Sequence, residues 1–91
     1  MRPRVEDFYQ AVATHDIEFF ADRENQHILR ENIEQLDFKF LLQIAYCMAE
    51  IPYVDQEPAI NEALRKALKG NYQAYLLKAL EKKQQLEVSR V

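Results

Sequence analysis

Two histidines are the side chains of this sequence that can act as acids or bases near neutral pH. They are His15 and His27, and His27 follows Glu24 at a spacing of three residues. On a helix Glu24 and His27 share one face, the arrangement with which di-iron helical bundles hold metal. A complete site needs a second such pair and further carboxylates. Only a symmetric dimer, with Glu31 or Glu34 as additional ligands, would supply them.

The surroundings of this pair favour a different interpretation. The run DRENQH at residues 22–27 is six polar residues in succession. It is typical of a solvated helical turn or a short loop, whereas the metal ligands of a bundle project into its interior. We therefore expect no bound metal or other cofactor. A dimeric metal site at Glu24 and His27 is an alternative.

Nucleophilic catalysis has few candidate residues. Cys47 is the only cysteine and lies in the apolar segment 38–51, where burial raises the pKa of a thiol and lowers its reactivity. The only serine is Ser89, near the end of the chain, and one glycine is too few for a glycine-rich phosphate loop. The sequence therefore predicts no catalytic residues and no enzyme. One cysteine also excludes an intramolecular disulfide.

Basic residues are concentrated in the C-terminal part of the chain. Residues 63–91 carry seven basic and two acidic residues, whereas residues 1–37 carry four basic and nine acidic ones. This imbalance indicates either a surface for an anionic partner or two segments that neutralise each other in the fold. The basic side chains that we predict to form a contact surface are Arg65, Lys66, Lys69, Lys78 and Lys82.

Nucleic acid is an alternative partner for this basic surface. Two helices on either side of Gly70 have the outline of a helix-turn-helix. However, the pI of about 5.3 is far from that of a typical nucleic-acid-binding domain. The second helix also opens with Tyr72 and Tyr75, not with arginine or asparagine placed for base edges. Protein binding is therefore the main prediction.

Aromatic residues are numerous, with five tyrosines and five phenylalanines. Most of them must fill the core. The adjacent pairs Phe8 with Tyr9 and Phe19 with Phe20 need a very broad buried face if all four rings are to point inward. We therefore expect part of this aromatic surface to be exposed and available to a partner.

Helices must position all of these residues. No glycine or proline occurs between residues 4 and 51, and the apolar residues recur at helical spacing. The triplet Thr14, His15 and Asp16 predicts the first boundary, with Asp16 as the N-cap of a second helix. One continuous helix through residues 14–28 is the alternative.

The middle of the chain predicts the central helix of the fold. Asp22 or Asn25 can cap the helix that precedes it, and Asp37 can cap the segment 38–51. Apolar residues lie on every face of that segment, which is typical of a helix surrounded by protein. Pro52 is expected to end it.

Two further helices follow a linker that contains two prolines. The first has an apolar stripe at helical spacing, formed by Ile60, Ala63, Leu64, Ala67 and Leu68. Gly70 stands where a helix often ends with a residue of positive φ. Asn71 can cap the last helix, and we expect the residues after about 86 to fray.

The composition is that of one helical domain. The 91 residues are 48% hydrophobic and 30% charged, and a single glycine argues against many tight hairpins. We predict an all-α fold, a compact bundle of four or five antiparallel helices around the apolar helix at about 38–51, as one domain over 1–91. That helix would reach only about 21 Å, and no signal peptide is recognisable, so we expect a cytoplasmic protein without membrane contact.

These observations favour an interaction protein. We predict a small non-catalytic helical regulator, inhibitor or adaptor that binds another protein or a second copy of itself. Its predicted contact residues are the N-terminal aromatics and the basic residues of the last two helices: Phe8, Tyr9, Phe19, Phe20, Arg65, Lys66, Lys69, Lys78 and Lys82. The sequence leaves the partner and the oligomeric state open.

Overall fold

The computed structural model of the chain describes residues 5–52, 59–70 and 73–89. Over these residues the chain forms helices and no strand, so the predicted all-α bundle is confirmed. The elements are α1 (Val5–Ala13), α2 (Ile17–Ala21), α3 (Arg23–Asn32), a 3₁₀ turn (Ile33–Gln35), α4 (Phe38–Met48), α5 (Glu62–Lys69) and α6 (Ala74–Ser89). The described part thus holds six α-helices, whereas four or five were predicted. The shortest of them, α2, has only one turn.

Aspartate side chains begin three of these helices. The carboxylate of Asp16 accepts a hydrogen bond from the N–H of Phe19 at 3.1 Å. The carboxylate of Asp37 accepts one from the N–H of Phe40 at 2.7 Å. Asp22 caps the first turn of α3 in the same way. The chain between residues 14 and 28 therefore forms two helices, and the predicted boundary is confirmed.

Two helices end in left-handed residues that are not glycine. His15, after α1, has φ of 56°, and Glu50, after α4, has φ of 58°. At the end of α4 the N–H of Glu50 donates to the carbonyl of Cys47, and the N–H of Ile51 donates to that of Tyr46. These are the two hydrogen bonds of a Schellman motif. Because this motif turns the chain, α4 ends at residue 48 and not at the predicted residue 51.

A glycine at one of these positions should stabilise the protein. A β-carbon makes the left-handed conformation unfavourable, and glycine adopts it freely. We expect Glu50→Gly to raise the free energy of unfolding by about 0.5–1 kcal/mol in urea titrations, because the Glu50 side chain is exposed. Lys66→Gly, at an exposed position in the middle of α5, should instead lower it by about 1 kcal/mol. Equal losses in both variants would contradict this account of Glu50.

The single glycine of the chain is not one of the left-handed residues. Gly70 is the C-cap of α5 with φ of −97°, so the prediction of a positive φ there was wrong. A β-carbon at Gly70 would have no atom within 4 Å. Asn61 begins α5, since its side chain accepts a hydrogen bond from the N–H of Leu64 at 2.8 Å. The predicted cap Asn71 lies outside the described residues.

Helix α4 occupies the centre of the bundle, as predicted. It packs against α1, α2 and α6, and α6 packs in turn against α5. Five side chains of α4 have no exposed surface: Leu41, Leu42, Ile44, Ala45 and Cys47. Leucines of α5 and α6 complete the same buried cluster, namely Leu64, Leu68, Leu76 and Leu80.

Helix α6 is the longest described element, with 16 residues. It reaches residue 89, and fraying beyond about residue 86 stays a prediction. Neither α6 nor any other helix in the described ranges combines the length and the apolar character that crossing a bilayer requires.

Candidate interaction site

Three of the N-terminal aromatic rings form a cluster at the corner between α1 and α2. The ring centroid of Phe19 lies 5.1 Å from that of Phe8 and 5.3 Å from that of Phe20, and both contacts are edge to face. Phe8 is 4% exposed and Phe20 is 2% exposed. The structure thus places Phe8 and Phe20 in the core, where they cannot contact a partner, and Phe19 is partly buried.

Tyr9 is the predicted aromatic contact residue that reaches solvent. Its ring stacks on the ring of Phe40 with a centroid distance of 3.8 Å, and 52% of the residue is exposed. Val5, one helical turn before it, is also exposed. This leaves a small apolar patch on α1 in place of the broad aromatic surface that the sequence predicts.

The predicted basic residues are divided between α5 and α6. Arg65 on α5 pairs with Glu81 on α6 at 2.7 Å, and both side chains are about half exposed. Such a pair contributes little stability, but it neutralises Arg65. Lys66 and Lys69 are exposed on α5. Lys78 and Lys82 lie on α6, where they line a groove beside the 3₁₀ turn, and the other flank of α6 carries Glu81.

The start of α6 is not exposed as a recognition helix requires. Such a helix inserts its first residues into the major groove of DNA. Gln73, which precedes α6, is buried, and Tyr75 is partly buried beneath the guanidinium of Arg30 at 4.9 Å from its ring centroid. Arg30 of α3 therefore covers part of the Tyr75 ring.

A groove between the 3₁₀ turn and α6 brings two of the predicted residues together. It has a volume of about 260 Å³. Its apolar surface comes from Ile33, Ala79 and Leu86, and Leu86 is 57% exposed. The charged side chains around it are Glu34, Lys78, Lys82 and Lys83. We call it the lysine groove.

One hydrogen bond holds the two sides of the lysine groove together. The Nζ of Lys83 donates to the backbone carbonyl of Glu34 at 3.0 Å. A lysine is favourable at this place, because carbonyl groups at the end of a helical segment carry partial negative charge. Lys78 and Lys82 form none of the described ion pairs, which join His27 to Glu31 and Arg65 to Glu81. Their ammonium groups are therefore available at the rim.

The histidine of the alternative metal site has a different partner from the predicted one. The Nε2 of His27 lies 2.9 Å from the carboxylate of Glu31, one helical turn further along α3; the His27 side chain is largely exposed and that of Glu31 is about half exposed. The backbone N–H of Glu24 donates to the cap Asp22. No three histidine, cysteine or carboxylate side chains of the described residues lie close enough together to hold a metal ion.

Cys47 has a neighbour that sequence reasoning did not find. Its Sγ lies 3.7 Å from the Nδ1 of His15, which is 32 residues away in the chain. The thiol has no exposed surface, and burial raises the pKa of Cys47. A raised pKa lowers the fraction of thiolate, so this contact does not produce an activated nucleophile.

The sequence indicated only half of the lysine groove. Lys78 and Lys82 belong to the basic segment of the sequence, whereas Ile33 and Leu86 are isolated apolar residues that carry no such signal. No local pattern shows that an apolar residue of the 3₁₀ turn lies beside α6. Their combination is a consequence of tertiary packing.

Comparisons with protein-family models, with curated proteins and with solved structures found no match to this chain.

Proposed function

We propose that this protein is a non-enzymatic interaction domain, a regulator or adaptor that binds an acidic amphipathic segment of a partner protein in the lysine groove. The observation that carries the proposal is the combination of apolar side chains on the floor and free ammonium groups at the rim. Apolar surface supplies affinity when it is buried, and the charges select the partner.

The apolar part of the groove fits the side chains of a helical or extended segment. Leu86 is more than half exposed, and Ile33 and Ala79 lie beside it between two helical elements. Grooves of this kind receive apolar anchors spaced by three or four residues on an amphipathic partner helix. Burying an exposed leucine side chain contributes about 1.5–3 kcal/mol before the costs of association.

The charges of the groove favour an acidic partner. Lys78 and Lys82 project at its rim, and Lys83 is fixed by the carbonyl of Glu34. Carboxylates on the partner would meet the two free ammonium groups. The phosphates of a nucleic acid would also pair with these ammonium groups, but a phosphate backbone offers no apolar group to cover Leu86. The net charge of −3 opposes a nucleic acid as well.

A photo-crosslinking experiment in the native cell identifies the partner. A photoreactive amino acid at Lys82 should capture a protein through an acidic segment, and the same group at Lys66 on α5 should not. The captured protein is then purified, and its affinity is measured by fluorescence anisotropy. We expect Lys78→Glu/Lys82→Glu to weaken binding at least about tenfold, because attraction becomes repulsion at two positions.

The matched control changes the net charge by the same amount on another face. Lys66→Glu/Lys69→Glu alters two exposed lysines of α5 and should leave the affinity within about twofold. Leu86→Ser should also weaken binding, since it removes the apolar contact. If both double variants lost the same affinity for the partner, the lysine groove would not be the binding site. If the crosslinker captured a second copy of this chain, and sedimentation showed dimers, the groove would serve self-association. That result would overturn the proposed partner.

A further inference from the structure

A second cleft lies between α3 and the start of α6, next to the lysine groove. Its volume is about 460 Å³, which is in the usual range for sites that hold small molecules. Among the described residues its lining is formed by Ala21, Arg23, Gln26, His27, Arg30 and Tyr75, none of which carries a carboxylate. In a chain with more acidic than basic residues, this concentration of basic groups needs an explanation.

Helix α3 presents the basic residues on one face. Arg23, His27 and Arg30 are spaced by four and three residues, so they lie along one side of the helix. The two arginines are about 10 Å apart along the helix axis, with the imidazole between them. Their side chains can therefore reach a group bound near the middle of the cleft.

Contacts with neighbouring groups fix two of the lining residues. The guanidinium of Arg30 lies over the ring of Tyr75 at 4.9 Å from the centroid, a cation–π contact that restricts its position. The amide nitrogen of Gln26 donates to the backbone carbonyl of Phe20 at 2.7 Å. Groups that are already held in place lose less conformational entropy when a ligand binds.

The arginines are not used in the described ion pairs of the fold. Glu31 pairs with His27 and Glu81 pairs with Arg65, and neither pair includes Arg23 or Arg30. Two guanidinium groups therefore face a cleft whose described lining residues include no carboxylate. A bound dianion would balance their charge. The planar fork of arginine also matches the oxygens of a phosphate group, to which it donates two hydrogen bonds.

We propose that the cleft between α3 and α6 binds a phosphomonoester group, held by Arg23 and Arg30. His27 lies between them, with its Nε2 paired to Glu31. The phosphate can belong to a small free molecule or to a phosphorylated side chain. The chemistry of recognition is the same in both cases. This site does not depend on the lysine groove, which uses different residues and offers an apolar floor.

Chemical-shift titration of the ¹⁵N-labelled full chain with inorganic phosphate tests the site. We expect saturable shifts confined to α3 and the neighbourhood of Tyr75, with a Kd on the order of 1 mM at low salt. Acetate should bind at least about tenfold more weakly, because it carries one charge and two oxygens. Arg23→Gln/Arg30→Gln should weaken phosphate binding at least about tenfold.

The control variant loses the same number of positive charges as the arginine double variant, but on another helix. Lys66→Gln/Lys69→Gln removes two positive charges from the exposed side of α5 and should leave the Kd for phosphate within about twofold. A phosphoserine peptide and free phosphoserine distinguish the two sources. If the peptide binds more tightly than free phosphoserine, the natural ligand is a phosphorylated protein. If both bind equally, the natural ligand is a small phosphorylated molecule.

Three results would overturn the proposal. They are shifts that do not saturate up to about 20 mM phosphate, equal affinity for acetate, and unchanged phosphate binding in the arginine double variant. Circular dichroism of that variant confirms that it is folded. Arg23→Gln alone is a second variant that leaves the contact between Arg30 and Tyr75 in place, and it should weaken binding in the same direction.

Discussion

Leu42→Ala in α4 should lower the free energy of unfolding by about 2–5 kcal/mol. Leu42 has no exposed surface and belongs to the helix that packs against α1, α2 and α6. Removing its side chain loses the transfer free energy of the buried carbons and leaves a cavity that three surrounding helices close only in part. A domain of this size is stable by roughly 5–14 kcal/mol, so a large share of its stability would be lost.

Urea titration followed by circular dichroism measures this loss. Leu42→Met keeps most of the buried volume and should cost less than about 1.5 kcal/mol. Lys39→Ala, at an exposed position of the same helix, should change the stability by no more than about 0.5 kcal/mol. If Leu42→Ala were as mild as Lys39→Ala, α4 would not be the centre of the core.

Local signals in the sequence were sufficient to predict three of the helix starts. Asp16, Asp22 and Asp37 each accept hydrogen bonds from backbone N–H groups of the turn that follows. Capping of this kind involves residues two or three positions apart, so a short window of sequence contains the whole interaction. The apolar segment at 38–51 was equally informative, because a helix with apolar residues on every face can only be buried.

Helix ends were harder to predict than helix starts. The sequence pointed to Gly70 as a left-handed residue, but Gly70 has φ of −97° and the left-handed residues are His15 and Glu50. Neither a histidine nor a glutamate signals this conformation, which is unfavourable for both. His15 also has a tertiary contact, the approach of its imidazole to the thiol of Cys47 at 3.7 Å.

The candidate sites depended still more on tertiary packing. The basic segment was visible in the sequence, but Arg65 pairs with Glu81 whereas Lys78 and Lys82 line the lysine groove. The cleft at Arg30 and Tyr75 joins residues 45 positions apart, and neither arginine of α3 lies in the basic segment. Charge counting finds regions of a chain, and only the fold decides which side chains share a surface.

Phe20→Ala should be the second strongly destabilising change, with a loss of about 3–5 kcal/mol. The ring is 2% exposed and contacts Phe19 edge to face at 5.3 Å between centroids. It also lies 6.2 Å from the ring of Phe8 on α1. Its removal therefore creates a cavity at the junction of α1 and α2 and loses two aromatic contacts.

Tyr9→Ala is the matched comparison, because the sequence treats both residues as members of one aromatic surface. Tyr9 is half exposed and stacks on a single ring, that of Phe40, so its loss should cost no more than about 1.5 kcal/mol. Urea titrations of both variants provide the two values. A larger loss for Tyr9→Ala than for Phe20→Ala would reverse the assignment of core and surface. The expected order means that Tyr9 can be changed to test partner binding in a folded protein, whereas Phe20 cannot.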